Sequence, residues 1–222
     1  MAWQLAAHWG NRRFARPAPR AEVVSAALLA GWGWVEEEPE SDPGRLASAP
    51  PRPGLAHWRS TVGRAADFSC YAALLLATRF AERAEDACGD SAATGSFREE
   101  MARRAADWRE ALAADARYEG TLSGPGFAVN LALLAAWEDV VEALVASGPT
   151  PFAVRVPARD GSPVEVALAP IGDGRWRVRP WPLQGERLQL HCEGRRGGGE
   201  VGSAVAPAER VTFNLLRPAA RG

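Results

Sequence analysis

The stretch Ser147-Gly148-Pro149-Thr150-Pro151 divides the sequence into two parts with different periodicities. Before it, apolar residues recur every three or four positions in alanine-rich segments, which is typical of helices that bury one face. After it, apolar and polar residues alternate in short segments, which is typical of half-buried strands. The sequence therefore predicts an α+β fold with an N-terminal helical bundle over residues 1–147. A β-rich C-terminal subdomain over residues 151–222 follows, with an antiparallel sheet of about five strands packed against the bundle.

The helical part is predicted to contain four or five helices. They cover Ala2–Trp9, Ala21–Leu29, about Leu55–Ala87 with a break near Ala66, a helix that starts at Ser96, and about Gly126–Ala146. The start at Ser96 rests on a capping box, Ser96-Phe97-Arg98-Glu99. The last helix is predicted to stop at Gly148-Pro149, and because it is apolar over most of its circumference we expect it at the centre of the bundle. The proline-rich residues between Glu36 and Gly54 are predicted to form a long loop.

The C-terminal part is predicted to contain five short strands. They cover Phe152–Val156, Val164–Leu168, Arg175–Arg179, Arg187–Cys192 and Arg210–Leu215. Alternation places five arginines on the outward face, namely Arg155, Arg175, Arg177, Arg179 and Arg187. A basic sheet can bind RNA, but Trp181 is the single aromatic candidate for base stacking there. A solvated face is the favoured interpretation, since arginine commonly covers exposed strands.

Composition excludes several kinds of chemistry. All 26 basic residues are arginine, so a Schiff-base lysine and a P-loop lysine are excluded. The net charge of −1 does not favour nucleic acid or an anionic membrane as a partner, whereas a homo-oligomer stays open. Cys70, Cys88 and Cys192 are too widely spaced for a disulfide framework or a C-x-x-C site, which favours reduced thiols in a cytoplasmic protein. Neither a signal peptide nor an apolar run of about 18 residues is recognisable.

The sequence contains no cofactor-binding, nucleophile or metal-binding motif in the structural context that its function requires. Gly197–Gly202 matches G-x-G-x-x-G, but no helical pattern follows it, so a flexible loop is favoured over a dinucleotide site. Serine nucleophile elbows and H-E-x-x-H or C-x-x-C metal spacings are absent from the sequence. His57 is a lone histidine at the start of a predicted helix, which favours a hydrogen-bonding role over metal ligation. We therefore expect no cofactor and no metal.

Glu138 is the residue whose position calls for a partner. It follows Leu131 and Leu134 and precedes Val141 and Val145 at three- and four-residue steps, which places a carboxylate on an apolar stripe. A buried carboxylate is costly without a partner, and Arg79 and His57 are the candidates. A structural ion pair is favoured over a catalytic role, because structural pairs also perturb pKa values.

Several stretches together resemble an uncharacterised bacterial family, domain of unknown function 3891. They are Gln4–Asn11, Gly31-Trp32, His57-Trp58-Arg59, Tyr71–Leu75, Asn130–Glu138 and Trp181-Pro182. The resemblance covers nearly the whole chain. It implies a histidine and aspartate pattern similar to that of metal-dependent phosphohydrolases of the HD type, in which these side chains hold one or two metal ions.

This sequence departs from that pattern at almost every ligand position. The first histidine of the pattern would lie at or before Met1, so it is missing, either as a departure from the family pattern or through a truncated start. The His-Asp-Asp positions fall on Leu28, Leu29 and Ala30. The next histidine falls on Thr78 or Arg79, and the last aspartate falls on Glu138. His57 remains. One histidine and one glutamate are too few protein ligands for a stable metal site.

Two functional hypotheses follow from these departures. The first is a non-catalytic family member that has kept the scaffold and lost the metal. The alternative is a hydrolase with a residual or rebuilt site, in which His57 and Glu138 act as an acid–base pair. RNA binding by the arginine-rich sheet is a third, weaker hypothesis.

Overall fold

A computed structural model of the chain describes residues 1–36, 54–146, 150–194 and 209–218. These residues form six α-helices, a short 3₁₀ helix at Ala116–Tyr118 and five β-strands, so the α+β fold class is confirmed. The helices are α1 (Ala2–His8), α2 (Arg20–Glu36), α3 (Leu55–Phe68), α4 (Cys70–Cys88), α5 (Ala92–Leu112) and α6 (Gly124–Ala146). The strands are β1 (Phe152–Pro157), β2 (Pro163–Pro170), β3 (Arg175–Arg179), β4 (Arg187–Gly194) and β5 (Glu209–Leu216).

The helix boundaries differ from the prediction where a serine caps a helix. The long third helix is divided at Ser69, not near Ala66, and the Ser69 hydroxyl accepts a hydrogen bond from the Ala72 N–H at 3.2 Å. The next helix begins at Ala92, because Ser91 is its N-cap and accepts from the Thr94 N–H at 3.1 Å. The predicted capping box at Ser96 is therefore wrong, since Ser96 lies inside a helix that an earlier serine already caps.

Four further predictions concern segments at or beyond the edges of the described residues. The second helix is longer than predicted and continues to Glu36. The stop at Gly148-Pro149, most of the proline-rich loop and the glycine-rich Gly197–Gly202 stretch lie outside the described residues.

The sheet is mixed, which corrects the prediction that it is purely antiparallel. Its strand order is β1-β2-β3-β5-β4. β1 pairs with β2, β2 with β3 and β4 with β5 in antiparallel fashion, but β3 and β5 run parallel. The parallel pair arises because β4 takes the edge position and β5 returns between β3 and β4. Such an arrangement depends on long-range pairing and has no local signal in the sequence.

The predicted alternation is confirmed by the burial of most strands, whereas most residues of β5 are half-buried without alternation. Val154, Val166, Trp176, Val178 and Leu190 face the interior. The outward arginines Arg155, Arg175, Arg177, Arg179 and Arg187 are all exposed.

One cluster of buried side chains continues from the helices into the sheet. The indole of Trp9 packs edge-on against that of Trp137 in α6, with ring centroids 5.9 Å apart. Trp9 also forms an antiparallel bridge with Leu183, which follows β3. The helical and β-rich parts are thus packed against each other, while their division into separate domains stays a prediction. Within the described ranges, no helix is both long and apolar enough to cross a membrane.

Candidate functional site

The Glu138 carboxylate lies between two arginines of the neighbouring helix α4. Its Oε2 atom accepts hydrogen bonds from Arg79 Nε at 3.0 Å and from Arg83 Nη1 at 3.0 Å, and it also lies 3.0 Å from Arg79 Nη2. The side chains of Arg79 and Glu138 are 15% and 14% exposed, whereas that of Arg83 is 37% exposed. The predicted ion pair is therefore present and largely buried. We call Arg79, Arg83 and Glu138 the arginine–glutamate cluster.

Helical spacing explains how the arginine–glutamate cluster forms. Arg79 and Arg83 are four residues apart on α4, so they project from the same face on successive turns. Glu138 lies at the margin of the buried face of α6, because the fully buried residues of that helix are centred on Leu133, Trp137 and Val140. The apolar stripe predicted from the sequence is therefore displaced, and its last member, Val145, is 61% exposed.

Burial and charge act in opposite directions on Glu138. Burial raises the pKa of its carboxyl above the ordinary value, and the Arg79 and Arg83 guanidinium groups oppose this rise. The pKa of the adjacent Asp139 is also raised by burial, again against the attraction of the same two arginines. The positive charges of Arg79 and Arg83 thus act on both carboxyl groups, whereas their hydrogen bonds go to Glu138.

His57 has a different partner. It lies on α3, where its Nε2 atom is 3.2 Å from the Thr61 hydroxyl one turn further along the helix. The hydrogen bonds of Glu138 within the described residues go to Arg79 and Arg83. The structure therefore brings together two of the three predicted site residues, Arg79 and Glu138, and adds Arg83 in place of His57.

The residues at the expected ligand positions of the family pattern offer few metal donors. On α2, Leu28 is 46% exposed, Leu29 is buried and Ala30 is half-buried. Leu28 therefore lies off the buried face of α2, to which Val23 and Ala27 belong. The Thr78 hydroxyl donates to the Leu74 carbonyl of its own helix at 2.9 Å.

The arginine–glutamate cluster does not fit a divalent cation. Glu138 is the one carboxylate of the cluster, and two guanidinium groups already bind it, while the neighbouring Asp139 is exposed. Over the part of the chain that the structure describes, no three His, Cys, Asp or Glu side chains are grouped as a metal site requires.

Sequence reasoning missed a second buried polar group, centred on Asn130 of α6. The Asn130 side chain is 1% exposed and donates to the Tyr71 hydroxyl at 2.8 Å and to the Ala18 carbonyl at 2.6 Å. The Tyr71 hydroxyl in turn donates to the Thr121 carbonyl at 2.9 Å. The available signal was a lone asparagine in the first half of α6, where its neighbours from Phe127 to Trp137 are all apolar. These bonds connect α4, α6 and the segment before α2, which is typical of a structural network.

Comparison with known proteins identifies one family. The sequence model of a family described as "Protein of unknown function (DUF3891)" matches residues 1–196. No curated protein and no solved structure is significantly similar to the chain. The family resemblance is thus confirmed, whereas the HD-type pattern and the bacterial origin stay predictions.

Proposed function

This chain belongs to the DUF3891 family, and we propose that it is a non-catalytic member of that family. In this proposal, a guanidinium group inside the helical scaffold stabilises it at the position where a catalytic relative would bind a metal ion. The proposal includes an ancestry shared with HD-type phosphohydrolases and a bacterial cytoplasmic setting. The ancestry and the bacterial origin rest on the sequence resemblance. The cytoplasmic setting rests on the spacing of the three cysteines.

The pairing of Glu138 with Arg79 and Arg83 carries this proposal. A carboxylate that binds a metal ion supplies its negative charge to that cation. The negative charge of Glu138 is already balanced here, because its Oε2 atom accepts hydrogen bonds from two guanidinium groups at 3.0 Å each. A fixed positive charge beside the carboxylate also repels a second cation, by Coulomb's law in a partly buried site.

The alternative, a hydrolase that uses His57 and Glu138, is favoured by one observation. Burial raises the pKa of Glu138, and a raised carboxyl pKa suits a general acid. The hydrogen bond of His57 to Thr61, and not to Glu138, favours the non-catalytic hypothesis over this one.

Metal titration of the full-length protein tests the proposal. We expect that Zn²⁺, Mn²⁺ or Fe²⁺ leaves the melting temperature unchanged and that the purified protein carries far less than one metal ion per chain. Glu138→Ala and Glu142→Ala form a matched pair, because Glu142 lies one turn further along the same helix but is 70% exposed. A metal-dependent stabilisation that Glu138→Ala abolishes and Glu142→Ala retains would establish the hydrolase alternative. A stabilisation that both variants retain would place a metal elsewhere and would equally contradict the proposal.

A further inference from the structure

Five arginines from three separate parts of the chain line one open pocket. Arg12 and Arg13 lie in the loop after α1, Arg177 and Arg179 project from β3, and Arg217 follows β5. Trp181 lines the same pocket, whose volume is about 900 Å³. We call these six residues and the space between them the arginine pocket. It shares no residue with the arginine–glutamate cluster.

Most of the positive charge in the arginine pocket is uncompensated. Among the lining residues Glu186 is the one acid, and it pairs with Arg217 at 2.8 Å. Within the described ranges no carboxylate lies within ion-pair distance of the other four arginines. Like charges gathered in one concave space repel each other and focus a positive potential there. Such an arrangement is favourable when an anion occupies the space.

Backbone hydrogen bonds hold the walls of the arginine pocket in place. The Gly10 N–H donates to the Pro182 carbonyl at 3.0 Å, and the Gln184 N–H donates to the His8 carbonyl at 2.8 Å. The side chain of Asn11 joins the two walls, because its Nδ2 donates to the Trp181 carbonyl at 2.9 Å while its Oδ1 accepts from the Arg13 N–H at 2.9 Å.

Further contacts fix the third wall of the pocket and anchor its lining in the core. Leu183 lines the pocket and is 2% exposed. The Arg217 N–H donates to the Glu186 carbonyl at 3.1 Å. The arginines therefore project from backbone that is ordered before any ligand binds, which lowers the entropic cost of binding.

We propose that the arginine pocket binds a small ligand that carries two or more phosphate groups. Guanidinium groups form paired hydrogen bonds with phosphate oxygens, and four unpaired guanidinium groups match the charge of a diphosphate or triphosphate. The volume lies within the range of pockets for small molecules. Trp181 provides an indole beside the cationic groups, so a nucleoside diphosphate and inorganic pyrophosphate are the two sources of this chemistry.

The pocket fits a compact ligand better than a nucleic acid strand. Proteins that bind single strands present several aromatic side chains, on which successive bases stack along a groove. Here Trp181 is the one aromatic residue among those that line the pocket.

Titration calorimetry of the full-length protein with pyrophosphate and with ADP, at about 0.15 M salt, tests the proposal. We expect saturable binding of at least one probe below about 1 mM. The double variant Arg177→Gln with Arg179→Gln should weaken it at least about tenfold, since it removes two charge-assisted contacts. The matched control is Arg103→Gln with Arg155→Gln, which removes the same charge from two exposed arginines outside the pocket and should retain the wild-type affinity.

The relative affinities of ADP and pyrophosphate distinguish a nucleotide ligand from a bare polyphosphate. Tighter binding of ADP than of pyrophosphate, lost in Trp181→Leu, identifies a nucleotide, whereas equal affinities identify a bare polyphosphate. The proposal is overturned if neither probe binds, if the Arg177/Arg179 variant binds as well as the wild type, or if the control variant loses as much affinity. Binding that is seen only with single-stranded oligonucleotides, and that strengthens with their length, overturns it in favour of a nucleic acid surface. Melting temperatures of all variants confirm that each one is folded.

Discussion

Replacement of Glu138 by alanine is the perturbation that best tests the arginine–glutamate cluster. The substitution leaves Arg79, whose side chain is 15% exposed, without the carboxylate that binds its guanidinium group. Breaking a fully buried ion pair costs about 3–5 kcal/mol of unfolding free energy, because one charge stays buried and unpaired. Arg83 is 37% exposed and is able to turn toward water, and Asp139 remains as a second carboxyl group near both arginines. We therefore expect a smaller loss, about 2–3 kcal/mol.

The double variant Glu138→Leu with Arg79→Leu shows whether the two side chains stabilise the protein as an ion pair or independently of each other. It removes both largely buried charges and leaves two apolar side chains, so no buried charge stays unpaired and we expect it to cost less than about 1 kcal/mol. Arg83 keeps a second acidic neighbour, since its Nη2 lies 4.0 Å from the Glu142 carboxylate. The single variants should each destabilise the protein more than the double variant does, which is the signature of direct coupling.

Urea denaturation followed by circular dichroism measures these free energies. Glu142→Ala serves as the control, because its side chain is 70% exposed and its loss should change stability by no more than about 0.5 kcal/mol. The reasoning is refuted if Glu138→Ala is no more harmful than Glu142→Ala. It is equally refuted if the effects of the Glu138 and Arg79 substitutions simply add in the double variant.

Two further predictions follow from the buried polar groups. Burial raises the pKa of Glu138 in the folded protein above its ordinary value of 4.5, so the folded state holds this proton more tightly than the unfolded state does. The part of the stability that comes from this proton is therefore fully present below pH 4.5 and is lost as the pH rises through the folded pKa. The unfolding free energy of the wild type relative to Glu138→Gln should therefore be largest below pH 4.5 and decrease as the pH rises above it, and a constant or growing difference in urea denaturation contradicts the raised pKa. The substitution Asn130→Ala should destabilise the protein by about 3 kcal/mol, because it removes the hydrogen-bond partner of the Ala18 backbone groups and of the Tyr71 hydroxyl. A loss of unfolding free energy below about 1 kcal/mol in the same assay rules out a structural role for this network.

The periodicity of the sequence was sufficient to predict the fold class and the positions of most elements. Helical and strand patterns are local, so they are visible in the order of the residues before any long-range contact forms. The change of period at Ser147–Pro151 separates the last helix, which ends at Ala146, from the first strand, which begins at Phe152. The pairing of Glu138 with Arg79 was also predictable, since a carboxylate near a buried helix face requires a partner.

Competing local signals limited the prediction of boundaries. Ser91 and Ser96 both precede segments that are able to form a helix, and the pattern alone favoured the capping box at Ser96. The structure begins the helix at Ala92, because a cap at Ser91 adds about one further helical turn to the contact with α4.

The tertiary structure alone decided which distant residues meet. The parallel pairing of β3 with β5 depends on where β4 lies at the sheet edge, and no local pattern encodes that choice. Arg83 joins Glu138 because α4 and α6 pack at a particular rotation about their axes. The arginine pocket combines Arg12 and Arg13 with Arg179 and Arg217, which lie more than 160 positions further along the chain. The spacing of residues predicts the face of a helix or strand on which a side chain lies. The residues that this side chain contacts on other elements are determined by the packing of the whole core.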